Sequence, residues 1–144
     1  MTDSPETVVW NGVSYTILLT ATASGGTIGV FQSEDFPGYG PPRHIHHDAD
    51  ETFVVLAGEV DFLLAGVVSH RGPGSLIFVP RGTEHAFCVR SDTSARMMTV
   101  MTPGGFEGFF RAMAHGGYKI PQDMAQIAPI AAAYKLEFTG PPLT

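Results

Sequence analysis

Apolar and polar positions alternate in short bursts along most of this chain. "SYTILLTATA", "TIGVFQSE", "ETFVVLAGEV", "DFLLAG", "SLIFVP", "HAFCVR" and "RMMTVMTP" are rich in Val, Ile, Leu, Phe and Thr, and glycine or proline punctuates the gaps between them. Short β-branched and aromatic runs at such spacing predict an all-β fold, a sandwich or barrel of antiparallel strands. Before residue 104 no run is long enough, and polar enough on one face, to predict an amphipathic helix.

The pattern changes after residue 104. In "GGFEGFFRAMAHGG" the positions Phe106, Phe109, Phe110 and Met113 follow a helical period and glycines close the run. "PQDMAQIAPIAAAYKLEF" predicts a second helix with Pro121 near its start, and Pro129 is expected to kink or divide it. The closing "FTGPPLT" reads as extended. The expectation is one domain over residues 1–144, with the barrel at about 6–102 and a helical tail at about 104–144 packed on it.

Composition narrows the function classes. Eight Lys+Arg against fourteen Asp+Glu leave a net charge of -6, and the basic residues are scattered singly. That balance argues against a nucleic-acid partner and an anionic membrane surface. No apolar run approaches the ~18 residues of a membrane span, and "MTDSPETVVW" does not read as a signal peptide. The single cysteine, Cys88, has no intrachain partner, so the expected compartment is the cytoplasm.

The candidate chemistry is concentrated in histidines. In "PPRHIHHDADETFVVLAGEV" alternation puts His44 and His46 on one strand face and turns His47 away. The "HDAD" turn resets the phase and returns Glu51 to the inner face with Phe53 and Val55, leaving Asp50 outside. In "PGSLIFVPRGTEHAF", His85 and Phe87 share a face. Three imidazoles and a carboxylate converging inside a barrel would form a mononuclear site for one divalent transition metal: iron, manganese, nickel, copper or zinc. Four ionisable groups facing an apolar interior would be costly without a shared partner. Parity assigns Phe53, Val55, Phe87 and Val89 to the wall beside the ligands, joined by Met97 or Met98. With no Lys or Arg expected there, the wall suits a neutral, aromatic small molecule better than a sugar phosphate. His70 and His115 stand in turn-like contexts and should be solvated, and Cys88 should be a packed, unreactive side chain. The Phe106, Phe109 and Phe110 stripe reads as core packing rather than a lid.

The spacing is sharper than the composition. Gly38, His44, His46, Glu51 and Gly58 fit G-x5-H-x-H-x4-E-x6-G, and Gly74, Pro80, Gly82 and His85 fit G-x5-P-x-G-x2-H. These resemble the two signature motifs of the cupin superfamily, and the surrounding segments are similar to single-domain, quercetinase-like cupins. The resemblance implies a double-stranded β-helix (jelly-roll) barrel with His44, His46, Glu51 and His85 as metal ligands. It also implies a metal-dependent dioxygenase acting with O2 on a hydroxylated aromatic or enol substrate, such as a flavonol, with Glu51 as fourth ligand or general base. A non-catalytic metal-dependent binder of small molecules is the alternative, and an isomerase fits the apolar wall less well. One position departs from the pattern: Val89 stands where the second motif usually carries Asn, which puts that residue's hydrogen bonds in question. Cupins commonly dimerise, and a homodimer through outward apolar positions such as Val54 and Leu56 is expected.

Overall fold

The computed structural model describes residues 5–144. The chain forms β1 (Glu6–Trp10), β2 (Val13–Leu19), α1 (Ala21–Ser24), β3 (Gly29–Asp35), β4 (Pro42–His46), β5 (Asp50–Ala57), β6 (Val60–Leu64), β7 (Val67–Arg71), β8 (Leu76–Val79), β9 (His85–Val89), β10 (Ala95–Thr102), α2 (Glu107–Gly116), α3 (Met124–Ala133) and β11 (Leu136–Pro142). One sheet runs β1-β2-β3-β10-β5-β8 and the other β11-β4-β9-β6-β7, with antiparallel neighbours throughout. This is the expected all-β jelly roll with short helices packed against it. Among the described residues, no helix forms between residues 40 and 90.

Alternation drives the packing. On β2 the buried positions are Val13, Tyr15 and Ile17; on β10 they are Ala95, Met97, Thr99 and Met101. Met97 is therefore the methionine that faces inward, while Met98 is half-exposed. Period-2 burial of this kind fixes strand register, because a one-residue slip would expose every inner side chain.

The tail joins the same core. Trp10, Tyr15 and Phe31 from the barrel pack with Phe109, Phe110 and Met113 of α2, and Ile127, Ala131 and Leu136 complete the cluster. Phe110 stacks on Tyr15 with ring centroids 4.1 Å apart and meets Phe31 edge-on at 4.9 Å. Glu107, buried at the start of α2, accepts from the backbone N–H of Ala21 (2.8 Å) and of Gly105 (3.2 Å). It thereby ties α2 to the one-turn helix α1, an element that the apolar pattern did not predict. Thr20 caps α1 by accepting from the Ala23 N–H.

Two expectations for the tail are corrected. Pro129 neither divides the second helix nor ends it, since α3 is continuous over Met124–Ala133. The helix also stops earlier than expected, and Leu136, Glu137 and Phe138 belong to a strand. β11 pairs with β4 in the register Leu136↔His46, Glu137↔Ile45 and Phe138↔His44. Its Pro141 and Pro142 are tolerated because an edge strand has no neighbour on its far side to which an N–H must donate.

Candidate metal centre and cavity

β4 delivers two of the candidate ligands. Its burial alternates, so Pro42, His44 and His46 face inward. β5 delivers Glu51, buried with Phe53 and Val55 on the same face, while Asp50 points outward as expected. The outward Asp50 carboxylate accepts from the Arg81 backbone N–H (2.9 Å) and Nε (3.1 Å), fastening the loop that precedes His85. Gly82 in that loop has φ 81°, a conformation open to glycine at little cost, and its N–H donates to the His46 carbonyl at 2.8 Å. The loop that carries the third imidazole is thus anchored to both other ligand strands. At the β5–β6 turn, Gly58 adopts φ 87°.

His44, His46, Glu51 and His85 are all buried, and one ligand atom from each lies within 4.8 Å of the others. His44 and His85 are register partners across β4 and β9. Their ring centroids are 4.2 Å apart, with His44–His46 at 5.4 Å and His46–His85 at 5.7 Å. Glu51 Oε1 lies 2.9 Å from His85 Nε2 and 3.6 Å from His46 Nε2. His47, by contrast, is exposed and pairs with Glu137 at 2.8 Å, as its parity required.

Hydrogen bonds settle the tautomers. His44 Nδ1 donates to the Pro42 carbonyl (2.7 Å), and His85 Nδ1 donates to the Thr83 carbonyl (2.9 Å). A carbonyl oxygen only accepts, so each Nδ1 carries the proton and each Nε2 turns a lone pair to the centre. His85 Nε2 nevertheless faces a carboxylate oxygen. Only a second proton or a cation between them reconciles that contact.

The electrostatics agree. Burial, then repulsion from His85 and His46, lowers His44 to about 3, and burial also lowers His46. Burial opposes the charge on Glu51, yet the surrounding imidazoles prevail and hold it at about 2. His85 is likewise disfavoured as a cation by burial, but its hydrogen bond to Glu51 raises it overall. One ionised carboxylate among imidazole lone pairs is a donor set suited to a divalent transition metal. The residues present therefore fit the group that the spacing implied.

Three of the candidate ligands, His44, His46 and Glu51, line a cavity walled by Phe53, Phe87, Phe106, Phe109, Phe110 and Phe138. Phe106 meets the His46 ring edge-on at 4.7 Å, and Phe138 lies 6.4 Å from His44. The aromatic stripe of α2 is thus both core packing and cavity wall. No Lys or Arg is among the lining residues. Of the expected wall, Phe53 and Phe87 line the cavity, whereas Val55 and Val89 are buried in the core behind it. Val89 contributes its backbone instead: its N–H donates to the Tyr39 carbonyl (2.9 Å) and its carbonyl accepts from Gly38 (3.0 Å).

Sequence reasoning missed the polar part of the wall, Tyr15, Ser33, Asp35, Tyr39 and Thr99, and the indole of Trp10. Parity held the signal for two of them, since Ser33 and Asp35 alternate with Phe31 on β3. His70 is exposed as expected, but it is not free: its two ring nitrogens meet Asp61 (2.7 Å) and Glu59 (2.9 Å).

A jelly-roll barrel with three imidazoles and a carboxylate gathered on its inner face defines a class of β-barrel proteins with a site suited to one metal ion. Residues 34–101 match the cupin domain family (Cupin_2), so this part of the chain is a cupin domain. It is 34% identical over 70 residues to quercetin 2,3-dioxygenase of Bacillus subtilis (strain 168), a match covering 49% of this chain and 20% of that protein. The chain thus spans about one fifth of the length of that relative. Among solved structures, KdgF from Halomonas sp. superposes with a TM-score of 0.63 at 17% identity, covering 74% of this chain and 91% of KdgF. A predicted oxalate decarboxylase from Thermotoga maritima gives 0.63 at 22% identity, with coverage of 69% and 92%. At such identities these two share the fold alone. No helix among the described residues is long and apolar enough to cross a membrane.

Proposed function

We propose that this protein is a metal-dependent dioxygenase acting on a hydroxylated aromatic or enol substrate. The observation that carries the reading is the His44, His46, Glu51 and His85 cluster, three members of which line an aromatic cavity without Lys or Arg. The similarity to quercetin 2,3-dioxygenase supports it. His44, His46 and His85 would hold the metal through Nε2. When bound, a divalent transition metal supplies Lewis acidity toward a substrate oxygen and a partner for O2. Glu51, held ionised, serves as fourth ligand or takes the substrate hydroxyl proton on a carboxylate oxygen. Phe53, Phe87 and Phe106 sandwich the flat substrate and exclude water. The one-domain organisation over residues 1–144 belongs to the same reading, supported by the core shared between barrel and tail.

Oxygen uptake by the metal-loaded protein, measured against a panel of flavonols and aromatic diols, tests this. Uptake that matches substrate loss and vanishes in His85→Ala is the expected result. Binding without uptake would leave a non-catalytic binder built on the same site.

We also infer a homodimer. Leu56, Leu76 and Phe78 are exposed, and Val54 pairs in register with Leu76, so β5 and the edge strand β8 carry a continuous outward apolar face. Light scattering should give twice 15.4 kDa, and a monomer at micromolar concentration would refute it.

A further inference from the structure

The cavity has a polar region that the metal centre does not use. On β3, Ser33 and Asp35 alternate onto the inner face, and both line the same cavity as His44, His46 and Glu51. Ser33 Oγ donates to Asp35 Oδ2 at 2.8 Å. The other oxygen, Asp35 Oδ1, is buried and has no hydrogen-bond partner among the described residues. Buried polar atoms are almost always paired, so an orphan on a cavity-lining residue marks a contact open to a ligand. β10 sets the two carboxyls apart, because Ala95 at its start is opposite Asp35 and Met101 near its end is opposite Glu51. The Tyr15 phenol lies within electrostatic reach of both.

We propose that Asp35, presented by Ser33, recognises a second hydroxyl on an elongated aromatic ligand whose first oxygen lies at the His44, His46, Glu51 and His85 centre. This rests on the aromatic-substrate reading above and adds a specificity group to it. The choice of a hydroxyl follows from the surroundings. Burial raises Asp35 to about 7, opposed by the Ser33 hydrogen bond and helped by Glu34, so both protonation states are accessible. As an acid it donates to a hydroxyl oxygen, and as a carboxylate it accepts the hydroxyl proton. An anion would be repelled by the ionised form, and a cation would gain nothing from the neutral form. The aromatic wall between the two ends suits the rings that would carry both oxygens.

Trp10, the chain's one tryptophan, lines this cavity and reports its occupancy by fluorescence. Zinc-loaded protein, kept free of O2 so that no turnover occurs, is titrated with kaempferol and with 3-hydroxyflavone, which keeps the metal-facing oxygens and lacks the distal hydroxyls. Wild type should bind kaempferol about tenfold more tightly, the effect of one well-placed hydrogen bond. Asp35→Leu should bring the ratio close to one, whereas Asp35→Asn, which still offers a donor and an acceptor, should keep most of it. Ser33→Ala should reduce it, and this variant decides the matter if Asp35→Leu does not fold. An unchanged ratio in folded Asp35→Leu, or in Ser33→Ala when it must stand in, overturns the proposal. Equal binding of both flavonols by wild type, with the absorption shift of metal contact, overturns the proposal and leaves the aromatic reading standing. Binding of neither flavonol removes both.

Discussion

His44 and His85 face each other across β4 and β9, and each donates its Nδ1 proton to the carbonyl of the residue two positions before it, Pro42 and Thr83. The same local device, used twice from opposite strands, orients both Nε2 atoms before any ion arrives. Preorganisation of this kind limits what binding has to order.

Removing either ring should therefore abolish tight metal binding without unfolding the barrel. His44→Ala and His85→Ala should each weaken metal binding about 100-fold or more, beyond the usual effect of losing an outer partner. His47→Ala, whose ring is outside with Glu137, should change nothing. Elemental analysis after dialysis, alongside circular dichroism, checks all three.

Asp35 makes stability depend on pH. Its folded value, about 7, is above the ordinary 3.8. The folded state therefore holds the extra proton between these values, and stability falls as pH rises through that window. Fully ionised, the buried group costs on the order of 4 kcal/mol. Asp35→Asn should then melt above the parent at pH 8.5 and lose that advantage at pH 4. Thermal melts at the two pH values decide it, and an equal difference at both would refute the assignment.

Phe110 is a structural as well as a cavity residue. Its ring stacks on Tyr15 and meets Phe31 edge-on, and both partners are buried. Phe110→Ala should cost about 3–5 kcal/mol in denaturant unfolding, the usual range for a large aromatic removed from a core.

β11 covers the ligand strand. Ending the chain at Lys135 would remove Phe138 from beside His44, Leu136 from beside His46, and the Arg43 Nη1 bond to the Pro141 carbonyl (2.6 Å). With its edge open, β4 should fray, and a chelator should withdraw metal about tenfold faster than from the full chain. Stopped-flow chelation with a chromogenic chelator measures this.

The parts of the site carried by short-range patterning were legible in the sequence. Two-residue alternation placed His44 with His46 and His47 outside, and the "HDAD" turn restored Glu51 to the inner face. Long-range pairing was not legible. Leu136 follows a helical run directly, and its partner His46 lies far earlier in the chain, so local periodicity could not identify β11. Val55 and Val89 have the right parity, but parity gives only the face of a strand and not the depth of a cavity along it. Asp35 was overlooked for a related reason: an acidic residue in "FQSED" reads as solvated until a second sheet covers it.

β4 has β9 on one side and β11 on the other, both supplied by chain made after it. During synthesis its two histidines leave the ribosome about 40 residues ahead of His85 and about 90 ahead of the covering strand. Until His85 follows, the emerging chain offers only His44, His46 and Glu51, an incomplete part of the candidate donor set. All four candidate ligands precede β11 in the chain, so the covering strand closes over a donor set that is already complete in sequence.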